Sequence, residues 1–268
     1  MSFDSAQFKR LERAGYDRIG PRYLEASASR GELLAALIKA ARLTPGQRVL
    51  DLASGPGLLA RAARVTVGDR GLAIASDIST SQLACCPDVP RVAADGETLP
   101  FADASFDRVL CGLGLMFFPD DQAALCEMRR VLRPDGRLAL SVWGRAEDVP
   151  LVETALSCMR RLLPPPKVAR PSIFRFGDPD ELRRRLTRAG YCDITIEHLR
   201  LAIDFSDAAA YWQGFLDLAG GAAESLSRLP DAKQQAFASA VSDDLAPYTV
   251  AGGYRLTSSI LVAAARPV

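Results

Sequence analysis

From Gly31 to Val142 the chain alternates helical and strand patterns, each short apolar run closed by Gly, Pro, Asp or Ser. That rhythm predicts an α/β domain with a mainly parallel sheet. Leu33, Leu34, Leu37, Ile38 and Ala41 recur at helical spacing, and Thr44-Pro45-Gly46 ends that helix. A first strand follows over Arg48–Leu52, and Ala53–Gly57 (ASGPG) turns it into a helix starting near Leu58. Further strands are predicted at Leu72–Ser76, Arg91–Ala94, Phe106–Cys111 and Arg137–Trp143. Ala124, Leu125, Met128, Val131 and Leu132 share one face of a helix capped by Asp120 or Asp121 and ended by Arg133-Pro134-Asp135-Gly136.

Beyond Trp143 the rhythm breaks. The proline-rich run LPPPKVARPSIFRFGDP has no periodic face and reads as an inserted lid. Asp178, Pro179 and Glu181 predict a helix start with a capping box, and Gly190 its stop. A sixth strand is expected at Cys192–Glu197, helix over Asp207–Tyr248, and a last strand over Tyr254–Ala265, seven strands in all. No internal repeat is visible.

Composition changes this picture little. With 49% apolar and 24% charged residues in 268, the chain is long enough to bury a sizeable core. A net charge of +1 leaves no field to steer a polyanion, so no nucleic-acid partner is expected. No run of about 18 apolar residues predicts a membrane span. The six cysteines lack zinc-site spacing and no signal peptide precedes them, so reduced thiols in a cytoplasmic protein, and no metal, are expected.

Candidate chemistry gathers at strand ends. Gly55 and Gly57 lie where strand one becomes a helix, which lets backbone approach a ligand closely. Gly55–Ala60 also satisfies the GxGxxA dinucleotide fingerprint, with Asp77 about 20 residues on. Asp51 argues against a pyrophosphate there, because its carboxylate repels one and suits a cationic group instead. Asp77 can accept ribose hydroxyls in either case, and Asp95-Gly96 offers an acceptor for an adenine amino group.

VLDLASGPG (Val49–Gly57), ASDIS (Ala75–Ser79), ADGETLPFADASFDRVLCGLGLMFF (Ala94–Phe118) and MRRVLRPDGRLALSVW (Met128–Trp143) together resemble the consecutive motifs of class I S-adenosylmethionine-dependent methyltransferases. The flavour is similar to the group holding ubiquinone/menaquinone-biosynthesis and natural-product tailoring enzymes, over roughly residues 30 to 145. The resemblance implies a Rossmann-like, doubly wound, seven-stranded sheet, mainly parallel with the last strand antiparallel between strands five and six, and helices on both faces. It implies one domain over 1–268, with a cap at 1–30, a cofactor-binding core at 31–145, and substrate-side insertions at 146–177 and 205–250. S-adenosyl-L-methionine would lie against Asp51, Ala53, Gly55 and Gly57 at its methionine half, Asp77 and Ile78 at the ribose, and Asp95 and Gly96 at the adenine. Cys111 and Gly112 would face the sulfonium. Ala53 departs from the family's usual glycine, and the segment Ser79–Pro90 is short for the usual second helix.

Methyl transfer is an in-line displacement that needs a base only if the acceptor must lose a proton, and no clear base is visible. His198, the only histidine, lies far from the cofactor end in topology. Tyr16 and Tyr23 are the catalytic candidates, as rings that cover a sulfonium. Phe117, Phe118, Tyr211 and Trp212 are candidates to line an apolar or aromatic small-molecule methyl acceptor, although each also reads as core. Arg160, Arg161, Lys167 and Arg170 form a basic group around the lid. A homodimer is compatible with the sequence, which does not determine oligomeric state. Rival readings are a non-catalytic cofactor-binding protein and a nicotinamide-dependent oxidoreductase.

Overall fold

The computed structural model describes residues 3–164, 168–226 and 229–268, apart from the side chains at 28, 224, 231–235 and 238. Lys167 therefore lies outside the described residues. The elements run α1 (Ser5–Ser27), α2 (Gly31–Ala41), β1 (Arg48–Leu52), α3 (Leu58–Val67), β2 (Leu72–Asp77), α4 (Thr80–Ala84), β3 (Arg91–Ala93), β4 (Phe106–Gly112), α5 (Asp121–Val131), β5 (Leu132–Trp143), α6 (Pro150–Leu162), α7 (Pro179–Arg188), β6 (Tyr191–Phe205), α8 (Ala208–Leu218), α9 (Gly220–Leu226), α10 (Asp231–Leu245), β7 (Thr249–Val250) and β8 (Gly253–Pro267).

One sheet carries the order β3-β2-β1-β4-β5-β8-β6, with β7 paired to β8. The pairs from β3 through β5 are parallel, and β8 is antiparallel to both β5 and β6. The chain moves outward from β1 to β3, then returns to β4 and moves outward the other way. Right-handed crossovers in opposite directions place their helices on opposite faces and leave a crevice at the C-terminal ends of β1 and β4. Leu50, Val109, Leu110 and Leu140 are fully buried in the central strands, because both faces of the sheet are covered.

Local signals explain most element ends. Asp120 caps α5 by accepting from the Ala123 N–H at 2.9 Å, and Asp178 caps α7 by accepting from Asp180 and Glu181 N–H. Glu181 does not return the capping box; its carboxylate accepts from Arg184 and Arg185. The turn Arg133–Gly136 lies inside β5, where Phe106 pairs with Leu132 before a register shift resumes the ladder at Arg108 and Arg137. The sixth strand extends to Phe205 rather than Glu197, because every position from Thr195 to Phe205 finds a partner on β8 in one long ribbon. An eighth, two-residue strand closes that ribbon through Gly252 and Gly253, both at positive φ.

The segment before Gly31 is a 23-residue helix, α1, folded across the crevice. Its close approach to α9 needs glycine on both sides: a Cβ on Gly15 would stand 2.3 Å from the Gly220 carbonyl oxygen. Of the late aromatic group, Tyr211 is fully buried on α8, its hydroxyl donating to Leu151 O at 3.1 Å and accepting from Ala155 N–H at 3.0 Å. The hydroxyl thus bonds both the amide and the carbonyl of one i, i+4 pair of α6, which runs as continuous helix from Pro150 to Leu162. Trp212 stacks on Phe237 at 5.4 Å. Among the described residues no helix is long and apolar enough to cross a membrane.

Removing the Tyr211 hydroxyl removes both of its buried bonds to α6. Tyr211→Phe is expected to lower unfolding stability by about 1–2 kcal/mol, read as a fall in thermal midpoint of roughly 2–4 °C per kcal/mol. An unchanged midpoint would show that α6 closes its own ladder.

Candidate functional site

The turn after β1 is built from left-handed backbone: Ala53 and Gly55 both have φ +53 and Gly57 has φ +73. Glycine adopts this freely, whereas Ala53 carries strain. Asp77, at the end of β2, holds the turn. Its Oδ2 accepts from the Gly55 N–H and its Oδ1 from the Ser79 N–H, each at 2.8 Å. Burial still pushes its carboxyl above the ordinary value, against the pull of these amides.

Above the turn, the C-terminal ends of β1 to β4 and the inner face of α1 line a partly open cavity. Ala53, Gly55, Asp77 and Ile78 form its floor, with Asp95, Gly96 and Gly112 from the next two strand ends. Phe117 and Phe118 make one wall. Phe118 lies over Gly96, where a Cβ would come within 2.5 Å of the ring. From α1, Tyr16 meets Tyr23 and Phe117 edge-on, both at 5.6 Å. Burial, first, and the neighbouring Tyr23 and Glu12 raise the Tyr16 phenol well above its ordinary value, so it stays neutral.

Polar ties hold α1 down at this cavity. Lys9 Nζ reaches Asp95 at 2.7 Å and Glu97 at 2.5 Å. Asp17 accepts from the Ser79 hydroxyl at 2.5 Å, and Gln82 donates to Tyr16 O at 3.0 Å. Glu12, buried on the same face, pairs with Arg170 at 2.7 Å, and burial raises its carboxyl.

A second cavity adjoins the first and shares Tyr23, Ala53, Gly112 and Leu113 with it. Its lining includes Ser27, Arg30, Asp51 and Ser54. Each of these four holds a buried polar atom without a hydrogen-bond partner: Ser27 Oγ, Arg30 Nε, Asp51 Oδ2 and Ser54 Oγ. Arg30 is otherwise spent on Tyr23, donating to its hydroxyl at 2.9 Å. Burial raises the Asp51 carboxyl well above its ordinary value, the Asp77 charge adds to this, and the Ala60 amide offsets it only in part. Buried polar groups left unpaired are rare, and four around one cavity mark it as a candidate ligand site.

Of the sequence candidates, Gly57, Cys111, Tyr211 and Trp212 line neither cavity. Gly57 packs under Cys86, where a Cβ would stand 2.3 Å from the sulfur. Cys111 is fully buried and its thiol pKa is pushed far up by desolvation, so it does not face the crevice. Tyr211 and Trp212 belong to the core described above. Asp51 opens to the second cavity rather than the first. Lys9, Glu12, Ser27 and Arg30 went unnoticed in the sequence, since their one signal was a place on a helix whose docking is non-local. Among the described residues no group of three or more His, Cys, Asp or Glu side chains could hold a metal.

Residues 50–140 match the methyltransferase domain family. A demethylmenaquinone methyltransferase of Corynebacterium efficiens is 35% identical over 177 residues, which span 60% of this chain and 74% of that protein. Among solved structures, the YcgJ protein of Bacillus subtilis superposes with a TM-score of 0.59 at 20% identity, covering 88% of this chain and 98% of that one. Phosphoethanolamine N-methyltransferase 2 of Haemonchus contortus, in complex with S-adenosyl-L-methionine, gives a TM-score of 0.57 at 18% identity, covering 92% of this chain and 57% of that one. At these identities the two structures speak for the fold.

A carboxylate this deep, with its Oδ2 unpaired, destabilises the protein when charged. Its folded pKa lies above its unfolded one, so stability falls as pH rises from the ordinary carboxylate value through the raised folded value. Asp51→Asn removes that cost, and the free protein is expected to gain about 1–2 kcal/mol at pH 7. The gain should vanish in acid, where Asp51 is protonated; thermal unfolding across pH checks both halves.

Proposed function

Because the chain belongs to the class I S-adenosylmethionine-dependent methyltransferases, we propose that it transfers a methyl group by in-line displacement to an oxygen, carbon or nitrogen of a small, apolar or aromatic molecule. The observation that carries the site assignment is the set of unpaired polar atoms on Ser27, Arg30, Asp51 and Ser54 beside the Asp77 cavity. An amino-acid zwitterion matches it. The Asp51 carboxylate suits an ammonium, while the Arg30 guanidinium and the Ser54 and Ser27 hydroxyls suit a carboxylate.

S-adenosyl-L-methionine therefore fits the residues present, and when bound it supplies a methyl group already activated on a positively charged sulfur. On this reading Asp77 accepts from ribose hydroxyls and Ile78 covers the sugar. Asp95 and Gly96 border the adenine side, with the Asp95 charge partly neutralised by Lys9. A pyrophosphate in place of the zwitterion would meet Asp51, which argues against a nicotinamide dinucleotide.

Tyr16, Tyr23 and Phe117 contribute ring faces and edges that exclude water and favour a cation between them. Tyr16 holds its proton, so its part is played by its ring rather than by proton transfer. Positioning and desolvation supply the acceleration on this reading. The relative named for demethylmenaquinone supports an apolar, ring-bearing acceptor, in keeping with the apolar walls of the cavity.

Calorimetric titration with S-adenosylhomocysteine, run beside NADH, tests the assignment. Micromolar binding of the first alone is expected; binding of NADH, or of neither, refutes it. Arg30→Met should weaken S-adenosylhomocysteine by roughly tenfold or more yet leave 5′-methylthioadenosine, which lacks the amino-acid end, unchanged. Asp77→Ala should weaken both, by about 1–3 kcal/mol.

A further inference from the structure

We propose that Arg175 is a positioning residue for this cavity: from outside the site it clamps the backbone turn that carries Phe117 and Phe118, and so sets the aromatic wall. The role in ligand binding rests on the reading above; the clamp itself does not.

The turn after β4 cannot satisfy itself. It closes two short bonds, Phe117 N–H to Gly114 O at 2.9 Å and Phe118 N–H to Leu115 O at 3.3 Å. The next residue, Pro119, has no N–H to continue the ladder. The Met116 and Phe118 carbonyls therefore depend on a donor from elsewhere. Arg175, on the segment joining α6 to α7, supplies it. Its Nη1 donates to Met116 O at 2.5 Å and to Ser172 O at 3.3 Å, and its Nη2 to Phe118 O at 2.7 Å and Leu115 O at 3.5 Å. The Phe176 ring lies beneath the guanidinium, 4.5 Å from its carbon.

Among the described residues no carboxylate is within ion-pair distance of Arg175, although Asp121 attracts it and Arg185 repels it. A half-buried cation is thus spent on carbonyl oxygens, and desolvation lowers its pKa to about 10. Only a planar fork with several fixed donors can span these carbonyls at once; a lysine ammonium reaches them as a single point. The consequence runs through two contacts. With the turn fixed, Phe117 stays edge-on to Tyr16 and Phe118 stays against Gly96.

Hydrogen exchange in the free protein, read by mass spectrometry, and ligand titration together test this. In Arg175→Lys, amides 114–118 should exchange at least about tenfold faster, while β4 and β1 keep wild-type protection. S-adenosylhomocysteine and 5′-methylthioadenosine should both weaken, by roughly tenfold. In a Phe117→Ala/Phe118→Ala background the same substitution should cost little further affinity, because the clamp acts through those two rings. Unchanged exchange at 114–118, or faster exchange throughout the molecule, overturns the clamp. Full additivity with that double substitution overturns its route to the ligand. If the wild-type protein binds neither ligand, the proposed function fails, and the exchange measurement still decides on Arg175.

Discussion

Asp77 ends β2 and accepts the Gly55 and Ser79 amides, and this tie across two parallel strands is what the site depends on. The register that pairs Asp51 with Ala75 and Leu52 with Ser76 brings the carboxylate to the level of the turn after β1. Ala53 and Gly55 can then stay in left-handed backbone, at a cost for Ala53 of about 1–2 kcal/mol that the tie offsets. From that turn follow the open crevice, the start of α3 and the exposure of Asp51 to the second cavity.

Around the tie the protein accumulates electrostatic stress. Asp51 is buried and Asp77 half-buried, desolvation raises both carboxyls, and the Asp77 charge adds to the cost of keeping Asp51 ionised. Cations reach the region from α1 and the residues just after it: Lys9 neutralises Asp95, and Arg30 rests on Tyr23 with one donor free. On the proposed reading, leaving Asp51 Oδ2 and Arg30 Nε without partners trades folded-state stability for affinity toward a ligand that carries both charges. Polar ties from Lys9, Asp17 and Glu12 hold the cover beside the buried Phe8 and Ile19.

Much of the architecture was legible because it is written in local signals. The strand β1 matched its predicted span, Asp120 and Asp178 cap as their spacing implied, and the short α4 agrees with the brevity of Ser79–Pro90. The errors have a common origin. The reach of β6 to Phe205 depends on pairing with β8, far along the chain, so the ladder runs past the expected end at Glu197. Tyr211 and Trp212 carried an aromatic signal that cannot distinguish a pocket from a core, and helix packing sent both into the core.

By itself the sequence determined the α/β rhythm, the turn chemistry after β1 and the run of acidic residues at strand ends, since each is set by backbone preference and by spacing within a few residues. It also carried the family, whose motifs are contiguous. The resemblance implied a cap at 1–30, but only the tertiary structure decided which face of α1 meets the crevice, that Arg30 and Ser27 meet Asp51 and Ser54 across one cavity, and that Gly57 and Cys111 line neither cavity. Those outcomes depend on how separate elements dock, and docking is fixed by the whole packed core rather than by any segment's own pattern.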